Sequence, residues 1–128
     1  MTKLVYPELS YKLRGILFDV HGELGGEFEE KYYQRAVEKL PLKDNLQFAR
    51  ELKVNIELHG EKIGVFFIDF LVENKIVLEL KTVPSLFPIH FRQIRSYLKV
   101  NNLQLGILAN FRGPKLIFQR ILSRINSD

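Results

Sequence analysis

The chain has 128 residues, of which 46% are hydrophobic, and this length can bury the core of one domain. The apolar residues come in short runs, none near the roughly 20 needed to cross a membrane, and Met1–Glu8 lacks the apolar core of a secretory signal. The absence of cysteine excludes disulfides and thiolate chemistry. We expect a single domain over residues 1–128, in the cytoplasm and without a membrane partner. The net charge of +4 suits a nucleic-acid partner but is too small to decide the question.

Two helices are predicted at the start of the chain. Apolar residues at helical spacing indicate an amphipathic helix over Glu8–Leu24, and the glycine pair Gly25 and Gly26 ends it. A second helix is predicted over Glu27–Leu40, ended by Pro41, with acidic residues in its first turn. We expect its buried stripe to consist of Tyr32, Tyr33, Ala36, Val37 and Leu40.

The middle of the chain changes to the period of a β-strand. Phe48–Leu58 alternates apolar and polar residues, which predicts a strand with one solvated face, and a turn follows over His59–Lys62. Gly64–Val72 and Ile76–Lys81 form a predicted hairpin, in which Asn74 is the turn residue best able to adopt a left-handed conformation. These strands together predict an antiparallel meander.

The last third of the chain completes an α/β unit. A third helix is predicted over Ile89–Val100, followed by strands over Leu103–Asn110 and Lys115–Arg120, and the tail Ile121–Asp128 is expected to add a short helical turn. The predicted order is ααβββαββ. The fold class is therefore α/β, with a mixed central β-sheet (the antiparallel meander plus the two C-terminal strands) flanked by helices.

Three charged residues interrupt the apolar strands of the hairpin. If Val72 and Ile76 close the turn, Asp69 lies directly opposite Glu79, and Lys81 shares a face with Glu79. Opposed residues have Cβ atoms about 4.5–5.5 Å apart, so the two carboxylates repel each other. A divalent cation would compensate for this repulsion. Two other interpretations stay open: an exposed acid that Lys81 neutralises, or a bulge that breaks the pairing.

The third helix carries two further polar features. Arg92, Arg95 and Lys99 form a basic stripe, which is either a contact for phosphates or simply a solvated face. Gln93 and Tyr97 lie on the face expected to pack, which indicates that one edge of this helix meets something polar.

Several segments together resemble one nuclease superfamily. Asp69, followed after nine residues by Glu79-Leu80-Lys81, resembles the signature of the PD-(D/E)XK nucleases. The segment Gly26-Glu27-Phe28-Glu29-Glu30-Lys31-Tyr32 is similar to the motif that gives the GxxExxY family its name. The hairpin of Ile68–Glu73 and Ile76–Lys81 is similar to that family's central hairpin, and Gln93–Tyr97 resembles the Gln-x-x-x-Tyr motif of RecB-type nucleases. Leu105–Phe111 looks like the family's closing strand.

This resemblance implies a restriction-endonuclease-like core and Mg²⁺- or Mn²⁺-dependent hydrolysis of phosphodiester bonds in DNA. Its metal ligands would be Glu29, Asp69 and Glu79, with the Leu80 backbone carbonyl as a further ligand. Lys81 would orient or deprotonate the attacking water, or neutralise charge in the transition state. We favour the electrostatic role over that of general base, because two adjacent carboxylates favour a cationic lysine. The residues that would position the substrate or brace the ligands are Gln93, Tyr97, Tyr32 and His90.

A second hypothesis keeps the fold without catalysis. A nucleic-acid-binding or assembly protein would use the basic residues Arg92, Arg95, Lys99, Lys115 and Arg120. Its DNA binding would be sensitive to salt but independent of Mg²⁺ and of Glu79. In either case a homodimer would give a longer contact track along DNA, but the sequence locates no interface.

Overall fold

The structure, a computed structural model, describes residues 4–40 and 45–123. Within these residues the helices and strands follow the predicted order ααβββαββ. They are α1 (Pro7–Leu24), α2 (Glu30–Lys39), β1 (Phe48–Leu58), β2 (Glu61–Val72), β3 (Ile76–Lys81), α3 (Pro88–Val100), β4 (Leu105–Asn110) and β5 (Ile117–Leu122).

A single five-stranded sheet with strand order β1-β2-β3-β4-β5 forms the centre of the fold. Neighbouring strands are antiparallel except β3 and β4, which are parallel. A parallel pair needs a long crossover, and α3 supplies it. The predicted mixed sheet flanked by helices is therefore confirmed.

Alternation along the strands divides the core into two layers. On β3, Ile76, Leu78 and Leu80 belong to the cluster that α1 and α2 cover, together with Leu13 and Tyr33. The intervening Val77 belongs to a second cluster formed with Ile94 and Leu98 of α3. The helices therefore cover both faces of the sheet, which explains why β3 and β4 are apolar on both sides.

Strands β1 and β2 separate from the rest of the sheet beyond a kink. Only Phe70–Val72 of β2 pair with β3, whereas β1 and β2 stay paired along nearly their whole length. Glu51 has a left-handed backbone (φ 54°), and no bridge joins it to Asp69 on the opposite strand. Residues two apart on β2 pack in different clusters on the two sides of this kink: Phe70 packs in the first cluster, whereas Ile68 packs in the second. We call residues 52–68 the β1–β2 arm.

Two strand boundaries differ from prediction, the start of β2 and the end of β5. His59 and Gly60 both have positive φ, so they close a two-residue turn, and β2 begins at Glu61 rather than Gly64. The predicted left-handed Asn74 is confirmed, and Glu73 before it is left-handed too. At the end of the chain β5 extends to Leu122, so the predicted helical turn is wrong for Ile121 and Leu122, and its part from residue 124 onward lies outside the described residues.

Helix α2 begins at Glu30, three positions later than predicted. The Tyr33 hydroxyl donates to the Gly25 carbonyl at 2.5 Å and accepts from the Phe28 backbone N–H at 3.2 Å, which holds the preceding segment out of the helix. The buried stripe therefore contains Tyr33 and Val37. The predicted burial of Tyr32 is wrong, since this side chain is 40% exposed. The predicted helix end at Pro41 lies outside the described residues.

Smaller boundary differences follow local geometry. Pro88 begins α3 one residue earlier than predicted, because a proline tolerates the first helical position. Strand β4 starts at Leu105 rather than Leu103, because Asn102 adopts a left-handed conformation just before it. Among the helices of the described residues, none is both long and apolar enough to span a membrane.

Candidate active site

The site begins where β2 leaves β3. The pairs Val72–Ile76, Leu71–Val77 and Phe70–Leu78 confirm the predicted register of the hairpin. The strand pairing ends there, and Asp69 and Glu79 are the next residues on the two strands. There the side chains bond to the opposite backbone: Asp69 Oδ2 accepts the Leu80 N–H at 2.7 Å, and Glu79 Oε1 accepts the Asp69 N–H at 3.1 Å. These reciprocal bonds hold both carboxylates in place at the mouth of the fork between the two strands.

Glu79 carries the strongest electrostatic perturbation of the site. Its side chain is only 5% exposed. Burial raises the pKa of Glu79 to about 9, with further contributions from the Asp69 charge and hydrogen bond, and Lys81 opposes this shift only in part. The surroundings of Glu79 therefore favour its protonated form unless further positive charge compensates the pair.

The acid that α2 contributes is Glu30. Its carboxyl is half-buried, and burial raises its pKa, with a further increase from Asp69 and a decrease from Lys81. The Gln34 side-chain amide, one turn later, donates to Glu30 Oε2 at 3.3 Å and to Asp69 Oδ1 at 2.8 Å. Gln34 thus joins the helix acid to the hairpin acid, a role that the sequence analysis missed.

Glu29 is not brought into this cluster. It occupies the residue before α2, where the backbone is extended, and its side chain is 76% exposed with Lys31 Nζ at 3.9 Å. Because α2 begins at Glu30, Glu29 lies outside the helix. Glu30 stands three residues before the buried Tyr33 and therefore on the same side of the helix. Tyr32, also predicted to support the site, packs at the surface against Phe28.

Lys81 and His90 lie close enough for the Lys81 charge to act on its neighbours. That charge partly opposes the rise that burial and Asp69 cause in the pKa values of Glu30 and Glu79. The pKa of His90 is lowered as well, first by burial and then by Lys81. His90 Nδ1 accepts the Phe87 N–H at 2.9 Å at the start of α3, so this ring has a structural bond and only Nε2 remains for other contacts.

Gln93 and Tyr97 lie further along α3. Gln93 is half-buried, and Tyr97 is buried in the second core cluster, where burial raises the pKa of its hydroxyl. Within residues 4–40 and 45–123, no hydrogen bond joins either side chain to the carboxylates. Tyr97 therefore packs as a core residue. On α3, the polar residue that the Lys81 charge reaches is His90.

Asn110 organises the backbone behind the site. This buried amide accepts from the Val83 and Arg112 N–H groups at 3.1 and 3.3 Å and donates to the Val83 carbonyl at 2.8 Å. The next residue, Phe111, donates its N–H to the Lys81 carbonyl at 2.8 Å. Asn110 thereby fixes the path of the chain after Lys81. A polar residue at the end of an all-apolar strand is the sequence signal that could have identified it.

Two surface features border the cluster. An open groove follows the chain beyond Lys81 and is lined by Gly26, Glu27, Phe28, Glu29, Thr82, Arg112 and Gly113. On α3, Arg92 and Arg95 line a shallow pocket with Leu86, Pro88 and Phe91, and Lys99 is exposed. Arg120 is unavailable for such contacts, because its guanidinium donates to Ser10 Oγ and to the Val5 carbonyl.

The chemistry of the donors suits a hard divalent cation. In the parts of the chain that the structure describes, no three acidic or histidine side chains form a complete metal cage. Asp69 and Glu79 nevertheless offer two adjacent carboxyl groups, and Mg²⁺ is commonly held by one or two carboxylates with the remaining ligands from water and phosphate.

The five-stranded mixed sheet flanked by helices is that of a restriction-endonuclease-like α/β domain. The chain belongs to the PD-(D/E)XK nuclease superfamily, whose sequence model matches residues 7–121. It is similar in fold to the crystal structure of SSO0001, with a TM-score of 0.57 and 18% identity over 94% of this chain. The chain spans 62% of the length of SSO0001. Among curated proteins, no match was found.

Proposed function

We propose that this chain is a metal-dependent nuclease that hydrolyses phosphodiester bonds of DNA at Glu30, Asp69, Glu79 and Lys81. The observation that carries the proposal is the reciprocal bonding of Asp69 and Glu79 to each other's strands, with the pKa of Glu79 raised to about 9. Glu79 is buried directly beside the half-buried Asp69. Such a pair is costly for a fold stabilised for its own sake but is expected of a cation site. Membership of a nuclease superfamily supports phosphodiester hydrolysis.

The residues proposed to hold Mg²⁺ or Mn²⁺ are Asp69 and Glu79, with Glu30 from α2 and the backbone carbonyl of Leu80, which follows Glu79 in sequence. When bound, such a cation lowers the pKa of a bound water and stabilises charge on the scissile phosphate. The Gln34 amide keeps Glu30 and Asp69 together in its absence. This assignment replaces Glu29 by Glu30, because Glu29 faces solvent.

Lys81 supplies positive charge beside the acids. Its charge already acts on Glu30 and Glu79, and this favours a role in stabilising negative charge on the phosphate over a role as general base. Gln93 and His90 are proposed to position the DNA backbone from α3, with Tyr97 behind them as a packing residue.

The finer family assignment is a proposal as well. The full GxxExxY spacing is met by Gly26, Glu29 and Tyr32. Glu30 and the buried Tyr33 repeat only its Glu-x-x-Tyr part, with Glu27 in the place of the glycine. The Gln-x-x-x-Tyr spacing of RecB-type nucleases is met by Gln93 and Tyr97. We also propose that residues 1–128 form a single domain that acts on DNA in the cytoplasm.

The first experiment measures Mg²⁺- or Mn²⁺-dependent cleavage of labelled single-stranded, double-stranded and branched DNA. Wild type is expected to cut at least one substrate, and Asp69→Asn and Glu79→Gln are expected to abolish cutting while DNA binding remains, since each removes a ligand charge. Binding without cutting by wild type, unaffected by both substitutions, would instead support a catalytically silent nucleic-acid-binding module.

The adjacent glutamates of α2 provide a matched pair for the same assay. Glu30→Gln is expected to reduce the cleavage rate by at least tenfold, whereas Glu29→Gln leaves it within about twofold of wild type, because only Glu30 contacts the Gln34–Asp69 network. The reverse result would return the helix ligand to Glu29.

A further inference from the structure

The free edge of the sheet at β1 has a self-complementary sequence. The segment Leu52-Lys53-Val54-Asn55-Ile56-Glu57-Leu58 has the same chemical pattern from either end, apart from an exchange of charge. About its centre at Asn55, leucine corresponds to leucine, valine to isoleucine, and lysine to glutamate. Two copies of such a segment placed antiparallel would match at every position.

The backbone gives this segment clear limits. Strand β1 is the outermost strand of the sheet, so one side of it has no neighbouring strand among the described residues. Glu51 before the segment and His59 after it are both left-handed, with φ of 54° and 50°. The pairing of β1 with β2 has one register shift, and its extra residue lies on β2. Consecutive residues of β1 therefore stay paired across the shift. The regular free edge therefore coincides with the self-complementary segment.

We propose that this edge is a homodimer interface, in which β1 pairs antiparallel with β1 of a second copy about a two-fold axis at Asn55. Across the axis, Lys53 lies opposite the second copy's Glu57, and symmetry repeats this pair. On the other face, Val54 lies opposite Ile56 and Leu52 opposite Leu58. The two sheets join into one continuous sheet of ten strands, as in recognition by strand addition.

The exposed surface of the β1–β2 arm supports a protein partner. A two-stranded hairpin alone is only marginally stable in water, and the arm packs against α3 only at its near end, through residues such as Val54 and Ile68. Towards its tip it exposes five large apolar side chains: Ile56, Leu58, Ile63, Val65 and Phe67. Pairing of the edges covers part of this surface.

Charge favours a second copy over nucleic acid at this surface. Between residues 52 and 68 the arm carries Lys53 and Lys62 against Glu57 and Glu61, so it has no excess of positive charge. Charge also selects the register, because a slip that centres the axis on Val54 brings Glu51 opposite Glu57. Charged edge residues normally prevent strand pairing, and here they permit one specific alignment.

The first test determines the mass of the protein by sedimentation equilibrium and light scattering. Wild type is expected to dimerise as its concentration approaches roughly 100 µM. Lys53→Glu and Glu57→Lys should each weaken dimerisation on the order of tenfold, because each places like charges opposite each other twice. The double variant that carries both changes should restore it. Lys12→Glu, an exposed charge on α1, is the matched control and should leave the dimer unchanged.

A second test uses the absence of cysteine from the chain. Asn55→Cys places two thiols across the axis at a separation that suits a disulfide, so mild oxidation should yield a covalent dimer. Glu57→Cys places them four residues apart along the paired strands and should remain monomeric on a denaturing gel. A monomeric wild type at these concentrations, failure of the double variant to restore dimerisation, or equal crosslinking of both cysteine variants would overturn the proposal. None of these readouts depends on nuclease activity.

Discussion

At the scale of single residues, the site depends on how two acids are held. Asp69 and Glu79 each accept a backbone N–H from the strand opposite, so neither carboxylate can turn away to reduce its repulsion from the other. Gln34 uses one amide group to contact both Asp69 and Glu30. The negative charge of the site is thus preorganised rather than assembled on binding.

The raised pKa of Glu79 predicts a pH dependence of stability. Below its ordinary pKa, near 4.5, Glu79 is protonated in both states. As the pH rises towards the folded value of about 9, the unfolded chain releases a proton that the folded chain retains, so stability falls over this range. In metal-free protein, Glu79→Gln is expected to raise the melting temperature at pH 8 by about 4 °C or more, and to change it little at pH 5.

Thermal unfolding in EDTA between pH 5 and pH 9 measures this effect. Glutamine keeps the Oε1 acceptor for the Asp69 N–H, so the comparison isolates the charge. Glu23→Gln, an exposed residue of α1, is the control and should give the same melting temperature as wild type at every pH. Equal melting temperatures of Glu79→Gln and wild type at pH 8 would contradict the electrostatic account.

At the scale of elements, the site lies where three segments converge. The β2–β3 fork brings Asp69 and Glu79, the exit of β3 brings Lys81, and α2 brings Glu30. The loop before α2 is fixed to the loop after β4: Gly113 donates its N–H to the Gly26 carbonyl at 3.2 Å, and the His21 ring contacts the Gly113 carbonyl at 3.0 Å. This contact sets the position from which α2 begins.

Close packing of these loops predicts opposite effects for two glycine substitutions. A Cβ at Gly26 would overlap the Gly113 backbone, so Gly26→Ala is expected to destabilise the protein by about 2 kcal/mol or more. A Cβ at Gly15, within α1, meets no atom, and Gly15→Ala is expected to stabilise by about 0.5–1 kcal/mol. Urea unfolding measures both. Equal stability of Gly26→Ala and wild type would mean that the two loops can separate freely.

At the scale of the whole molecule, the modest net charge of +4 is unevenly used. Arg92 and Arg95 line an open pocket on α3, two and five residues after His90, whose ring accepts a hydrogen bond at the start of this helix. Arg120, in contrast, donates hydrogen bonds to Ser10 and to the Val5 carbonyl. Phosphate contacts outside the site are therefore expected from α3 rather than from β5.

The salt dependence of DNA binding tests this distribution. With Ca²⁺ in place of Mg²⁺, replacement of Arg92 and Arg95 together by alanine is expected to weaken binding and to reduce the steepness of log K against log salt by about 2, near 0.9 for each lost phosphate contact on duplex DNA. Lys12→Ala, an exposed charge on α1, should leave the slope unchanged. An unaltered slope in the double variant would place the DNA elsewhere on the surface.

The sequence by itself determined the order of helices and strands, because each element's hydrophobic period is a local property. It also determined the register of the β2–β3 hairpin, since the turn length around Asn74 fixes which residues face each other. From that register alone, Asp69 and Glu79 were brought together. The assignment of these two and of the other residues to a catalytic site, and the single-domain organisation, stay predictions.

Only the tertiary structure showed which of the two adjacent glutamates at the start of α2 lies near Asp69. Sequence spacing allowed both Glu29 and Glu30, and the choice depends on Tyr33, whose hydroxyl reaches back to Gly25 and delays the helix start. The roles of Gln34 and Asn110 likewise depend on partners 35 and 27 residues away in the chain. Such contacts arise from packing between elements, which periodicity and propensity do not encode.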